Sequence, residues 1–251
     1  MEEIHLASQT LFQIGPLPVT NTLLATWIGM GLLFVMAVSV RNTKLVPTGV
    51  QNVFESILEF LLGMIEKVTQ DRRRAEQFLP LLATFFLFIL VLNWLELIPG
   101  FGTIHVHTMT GEAPLLRGGT TDLNTPLALA LISVVAAHVF AIAALGLRTH
   151  LGHYFAFKPT VAGMIDGFVG LLHLVSEVAK VFSFSFRLFG NIFAGQVLLI
   201  VIAFLVPYIL PVPFYLLEIF VGFIQALVFT MLSLVFLTIA TTPHHETAHS
   251  G

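Results

Sequence analysis

Arg187 lies inside one of the longest apolar runs of the chain, in the stretch SFSFRLFGNIFAGQ from Ser183 to Gln196. A guanidinium stays charged at any physiological pH, and at membrane depth it costs about 2.5 kcal/mol or more. A charge that expensive marks a functional position facing water, a partner or an ionic substrate. Counting back by sevens, a spacing that nearly returns to the same helix face, gives Lys180, His173 and Asp166. Ser176, Glu177, Ser183 and Asn191 fall close to that line at spacings of three or four. The pattern is one ionisable stripe on a background of Phe, Leu and Val, and it must face a water-filled cavity or a polar protein surface. Glu177 and Lys180 can pair at i, i+3 and offset each other's charge, so a structural pair near the cytoplasmic side is as good a reading for them as a functional one. Arg187 has no acid three or four positions away, so its counter-charge must come from elsewhere.

The last apolar segment carries Glu218 and Gln225, seven apart, with Gly222 between them, and Glu218 is the only acid in 207–245. Gln196 follows Arg187 by nine residues, which places it about 180° around the helix. A conduit reaching outward past Gln196 and Glu218 is expected. Asp122, just before a span and followed by Asn124, suits either a helix N-cap or an outer ion entrance. His105 and His107, and His244, His245 and His249, are not spaced for a closed metal site. No phosphate-binding glycine loop, G-x-S-x-G or H-E-x-x-H occurs. No metal, no cofactor, no bound nucleotide and no catalytic site of its own are therefore expected.

Composition decides what must position these residues. Of 251 residues, 57% are hydrophobic and only 10% charged, against about a quarter charged in soluble domains. The chain reads as an integral membrane protein in contact with the lipid bilayer. A net charge of −3 offers no nucleic-acid surface, and the absence of cysteine excludes disulfides and thiolate metal sites. The first residues, MEEIHLASQTLF, lack the basic start of a signal peptide, so the first span is expected to persist.

A transmembrane helix needs about 20 largely apolar residues. Residues 21–40, 78–99 and 125–147 each fit one span, and the chain reads as one all-α membrane domain, 1–251. Residues 47–70 carry Glu55, Glu59 and Glu66 in an apolar pattern of helical period, with Pro47 at the start. That predicts an amphipathic helix at the membrane surface or packed beside the spans. Residues 100–124 read as a polar loop, 160–206 and 214–242 as two long helices parted by PYILPVP, and 243–251 as a polar tail. The 47 residues of 160–206 contain no proline. As one helix they would be about 70 Å long in a hydrocarbon core of about 30 Å. One steeply inclined helix, about 65° from the normal on that ratio, is the expected solution. Lys and Arg in the loops set orientation. Arg41, Lys44, Lys67, Arg72, Arg73, Arg74, Arg148 and Lys158 stand on one side, against Arg117 alone in 100–124. The N-terminus should then face outward and the C-terminus the cytoplasm.

FRLFGNIFAGQ (186–196), with the final span VPFYLLEIFVGFIQALVFTMLSLVFLTIA, closely resembles subunit a of F-type ATP synthases. NWLELIPG (93–100) and TDLNTPLALAL (121–131) are similar to that family's third and fourth helix regions. The resemblance implies a proton-translocating stator subunit of a bacterial inner membrane, multi-pass, in a complex with peripheral-stalk b subunits. Its two long inclined helices form a hairpin against a rotor ring of c subunits, with two aqueous half-channels separated by an essential arginine. That role maps onto Arg187. The outer half-channel maps onto Glu218, Gln196, Asn191, Gln225 and Asp122. The cytoplasmic half-channel maps onto His173 and Ser183, with Glu177, Lys180 and Asp166 of the stripe placed on the same side. Many members carry a glutamate at the position of Gln196 and a histidine at that of Glu218, which makes Glu218 the main candidate proton relay. A secondary transporter that binds an anionic substrate at Arg187 is the competing reading.

Overall fold

The computed structural model describes residues 8–40, 49–98, 101, 104–108, 111–147, 161–206 and 209–242, with the backbone alone at residues 14, 17, 105, 107, 108, 111–113 and 161–166. Among the described residues there are six helices: α1 (Asn21–Val40), α2 (Val50–Thr69), α3 (Arg72–Glu96), α4 (Asn124–Leu145), α5 (Val161–Leu205) and α6 (Pro211–Thr241). All but α2 are long and apolar enough to cross a membrane. The protein is a predominantly helical membrane protein, with five such helices among the described residues. Pro47 and the C-terminal histidines lie outside the described residues, as do Arg41, Lys44, Arg148 and Lys158.

Two helix starts differ from the hydropathy reading for identifiable reasons. α3 begins at Arg72, six residues before the apolar run, because the Asp71 carboxylate accepts the backbone N–H groups of Arg73 (2.9 Å) and Arg74 (3.5 Å). A capping side chain satisfies donors that a polar first turn would otherwise leave unpaired. α6 begins at Pro211, where a proline is tolerated because a first-turn N–H has no helical partner.

Two short antiparallel hairpins accompany the helices: β1 (Thr10–Ile14) with β2 (Leu17–Thr20), and β3 (His105–Thr108) with β4 (Gly111–Pro114). Segments this short give no membrane-scale hydropathy signal. Asn21 ties them together at the start of α1. Its Oδ1 accepts the N–H of Gln9 at 3.2 Å, and its Nδ2 donates to the Pro114 carbonyl at 3.3 Å.

α3 and α6 form the centre, with α4 against α6 and α5, α2 against α3 and α6, and α1 against α3. α2 turns Leu61 and Ile65 inward while Val50, Val53 and Phe60 remain exposed. Between α3, α5 and α6 the contacts are aromatic. Phe184 lies 5.1 Å from Phe229 and 5.3 Å from Phe236, and Phe85 lies 5.5 Å from Phe229. In a bilayer such packing replaces the hydrophobic drive as a source of helix–helix affinity. α5 is continuous for 45 residues, about 68 Å at 1.5 Å per residue.

Candidate functional site

The rotation of α5 is set by what it buries. Phe184 and Leu188 are 3% and 0% exposed and face α6 and the core. Arg187 precedes Leu188 by one residue, about 100° away around the helix. Its side chain is consequently exposed, on the face that also carries Phe182, Ser183, Phe186 and Gly190. Among the described residues none gives it an ion pair or hydrogen bond. The outward face is a strip of large apolar side chains with a single cation in it.

The stripe divides in space. His173, Ser176, Ser183 and Arg187 are exposed, whereas Glu177, Lys180 and Asn191 are partly buried. Lys180 Nζ donates to Glu177 Oε1 at 2.6 Å and lies 4.7 Å from the centre of the Phe236 ring. Glu177 Oε2 faces His138 Nε2 of α4 at 3.9 Å. The side chain of Asp166 lies outside the described residues.

At the other end, Glu218 of α6 lies against Gly195 of α5, so that a Cβ at position 195 would collide with both carboxylate oxygens. Gln196 is the next residue and is half-buried. Gln225, two turns along α6 from Glu218, has a buried Nε2 with no hydrogen-bond partner among the described residues. Gly222, between them, is braced from α3. Asn93 Nδ2 donates to the Gly222 carbonyl at 3.2 Å, and Trp94 Nε1 donates to the Ile219 carbonyl at 3.1 Å. Asn93 Oδ1 in turn accepts the Thr120 hydroxyl at 3.2 Å.

The polar loop expected over 100–124 is, in its second half, part of the interior. Arg117, Thr120, Thr121 and Asp122 are buried. Gly118 and Gly119 permit this approach: a Cβ on Gly118 would collide with the Glu96 carboxylate, and one on Gly119 would stand 2.8 Å from Thr26 Oγ1. Both oxygens of Glu96 are buried with no hydrogen-bond partner among the described residues. The charge of Arg117 acts on Glu96, as does the like charge of Glu218. Burial pushes the Arg117 guanidinium below the ordinary arginine value, while Glu96 and Asp122 oppose that shift. Asp122 accepts from Thr22 Oγ1 at 2.9 Å and from the Asn124 N–H at 2.7 Å, joining the starts of α1 and α4.

Glu96, Asn93 and His138 are not among the site residues expected from the sequence, and Arg117 enters there only as a loop charge that sets orientation. His138 had a signal, since it is the sole ionisable residue between Asn124 and Leu147. Glu96 had a weaker one, as an acid in the last turn of a span, where carboxylates commonly meet interfacial water.

Taken together, one helix carries an isolated outward cation, flanked by carboxylates on its two sides along the membrane. That arrangement can deliver protons to a carboxylate on another body and take them away.

The comparisons with known proteins agree in family. A family model described as "ATP synthase A chain" matches residues 23–238. The chain is 34% identical over 234 residues to a protein named ATP synthase subunit a from Moorella thermoacetica, covering 93% of this chain and 96% of that one. It is 35% identical over 238 residues to ATP synthase subunit a 2 of a Bradyrhizobium species, covering 94% and 96%. It is 33% identical over 228 residues to ATP synthase subunit a of Legionella pneumophila, covering 90% and 88%.

Proposed function

The chain belongs to the ATP synthase A chain family, and from that membership we propose that it works as the proton-translocating stator subunit, with Arg187 as the fixed charge between two half-channels. The observation that carries this reading is Arg187, exposed and without an ion pair or hydrogen bond among the described residues, on a 45-residue apolar helix. A charge in that position needs a mobile counter-charge outside the chain, and the ring of c subunits would supply it.

The physics runs in one cycle. A ring carboxylate facing lipid must be neutral, because an ionised one is costly there. Close to Arg187 the opposite charge favours the ionised form and the proton leaves. Arginine suits the role better than lysine, since a guanidinium stays charged and does not carry the proton itself. Its fixed charge also repels protons and separates the two half-channels. Each charge crossing the membrane potential releases about 2.3 kcal/mol per 100 mV, and rotation carries that energy to a catalytic sector elsewhere in the complex.

We assign the outer half-channel to Glu218, Gln196, Asn191, Gln225 and Asp122, with Glu96 added because its buried carboxylate stands within electrostatic reach of Glu218. Asp122 serves it as a positioning residue, since its oxygens are committed to Thr22 and Asn124. The cytoplasmic half-channel is assigned to His173, Glu177, Lys180, Ser183 and Asp166. The N-terminus then faces outward and the C-terminus the cytoplasm, with peripheral-stalk b subunits as further partners. In vesicles containing the whole complex, Arg187→Ala abolishes ATP-driven proton pumping. Coupled pumping by that variant would overturn the reading.

A further inference from the structure

The apolar length of α4 is interrupted by one ionisable side chain, His138. A titratable group in a span is expensive and needs a named partner. One partner is Glu177 of α5, whose two carboxylate oxygens are divided between neighbours. Lys180 Nζ holds Oε1 at 2.6 Å, while Oε2 is turned toward His138 Nε2 at 3.9 Å. The side chains are 19% exposed for Glu177, 27% for Lys180 and 31% for His138, so none of the three is sealed inside the chain. A gap of 3.9 Å is closed by a small rotation of the imidazole or by one bridging water.

Among the described residues, the helices around the imidazole carry few other charges. α5 brings Glu177 and Lys180, with His173 one turn before Glu177. α6 has no ionisable side chain from Ile219 to Thr241, and α3 carries its ionisable groups in its first turns, at Arg72, Arg73, Arg74 and Glu76, and at Glu96. Histidine is the side-chain type that exchanges its proton near neutral pH.

We propose that His138 is a proton-exchanging residue of the cytoplasmic half-channel, placed on α4 and coupled to Glu177. The proposal rests on the stator reading above and deepens it. During ATP-driven pumping, His138 takes a proton from cytoplasmic water at Nε2 and becomes an imidazolium. It passes that proton to Glu177 Oε2, directly or through one water, and returns to neutral imidazole. The carboxylic acid so formed releases the proton to water in the half-channel that leads to the ring carboxylate. Glu177 is then again a carboxylate held by Lys180. Lys180 matters because its fixed positive charge returns Glu177 to the ionised form after each transfer.

The test uses inverted vesicles with the whole complex, whose cytoplasmic face meets the bath, and follows ATP-driven pumping as bath pH is varied. His138→Gln keeps a polar side chain that does not titrate. It lowers pumping roughly 3- to 10-fold, a modest share of what acid–base groups contribute, and flattens the profile between about pH 6 and 8, where histidine titrates. Glu177→Gln gives the same flattened profile, and the double variant is no slower than the slower single one, as expected of residues acting as a unit. His138→Glu moves the profile toward acid. Rates are normalised to subunit content by immunoblot and the shape of the profile is the readout, so a partly assembled variant still decides. A wild-type profile in His138→Gln, or one lowered evenly at every pH, overturns the proposal. Arg187→Ala in the same vesicles separates the two levels. Pumping retained there overturns the stator reading, whereas pumping lost there with a wild-type profile in His138→Gln overturns the His138 assignment alone.

Discussion

The carboxylate of Glu218 rests on the backbone of α5 at Gly195, in a space that a single methyl group would occupy. The pair fixes where the acid of the last helix stands relative to Arg187, eight residues earlier on the same helix as Gly195. Gly195→Ala must therefore displace either the carboxylate or the helix, and overpacking of this kind typically costs about 1–3 kcal/mol. We expect ATP-driven pumping to fall by about tenfold, which is the rate equivalent of about 1.4 kcal/mol. Normal subunit content in the membrane, read by immunoblot, accompanies the loss. Full pumping in Gly195→Ala would mean that the position of this carboxylate is not critical.

Glu218→Ala should slow pumping strongly, by about 100-fold if it acts as a general acid–base group. Glu218→Asp should retain more activity than Glu218→Gln, since only the former still titrates. Equal rates in all three variants would remove Glu218 from the proton path.

Asn93→Leu removes the donor to the Gly222 carbonyl and the acceptor of the buried Thr120 hydroxyl. An interhelical hydrogen bond inside a membrane is worth about 0.6 kcal/mol on average, but an orphaned buried hydroxyl adds about 1–3 kcal/mol. The second effect is the larger one. The thermal inactivation midpoint of the solubilised complex should drop, and Asn93→Leu with Thr120→Val should recover part of the loss. No change in either variant would show that the brace contributes nothing.

Asp122→Ala unties the starts of α1 and α4 by leaving the buried Thr22 hydroxyl and the Asn124 N–H without their acceptor, at a cost of about 1–3 kcal/mol. Asp122→Asn, which keeps one acceptor oxygen, should restore most of the stability. Limited proteolysis between α3 and α4 reads both. If Asp122→Asn pumps at the wild-type rate with a wild-type pH profile, Asp122 acts by positioning, as its hydrogen bonds indicate.

The helices were legible because runs of twenty apolar residues have no alternative in lipid, and Arg187 was legible because a lone guanidinium stands out against Phe and Leu. The seven-residue stripe was legible only in outline. An α-helix drifts about 20° per heptad, and Glu177 stands about 80° around α5 from Arg187. Packing of Phe184 and Leu188 against the core therefore turns Glu177 toward α4 and leaves Arg187 outside. Glu96 and Arg117 were hidden for a different reason. Their proximity depends on a loop that folds inward at Gly118 and Gly119, and a pair of glycines in a polar stretch reads equally well as a surface turn. Nor does hydropathy register which oxygen of Glu177 faces His138, because that is decided by two helices far apart in sequence.

Phe184 and Leu188 have a mechanical consequence as well. In the proposed cycle, a carboxylate drawn past Arg187 would pull sideways on a charge that stands roughly 5–6 Å from the axis of α5. That is a lever arm, and the reaction to every step of the rotor is a torque tending to roll the helix in its seat. The aromatic wedge of Phe184 between Phe229 and Phe236, with Leu188 one turn on, is what resists rolling. A stator has to be stiff against twist before its charge can do useful work, and in this protein the stiffness is supplied by phenylalanine.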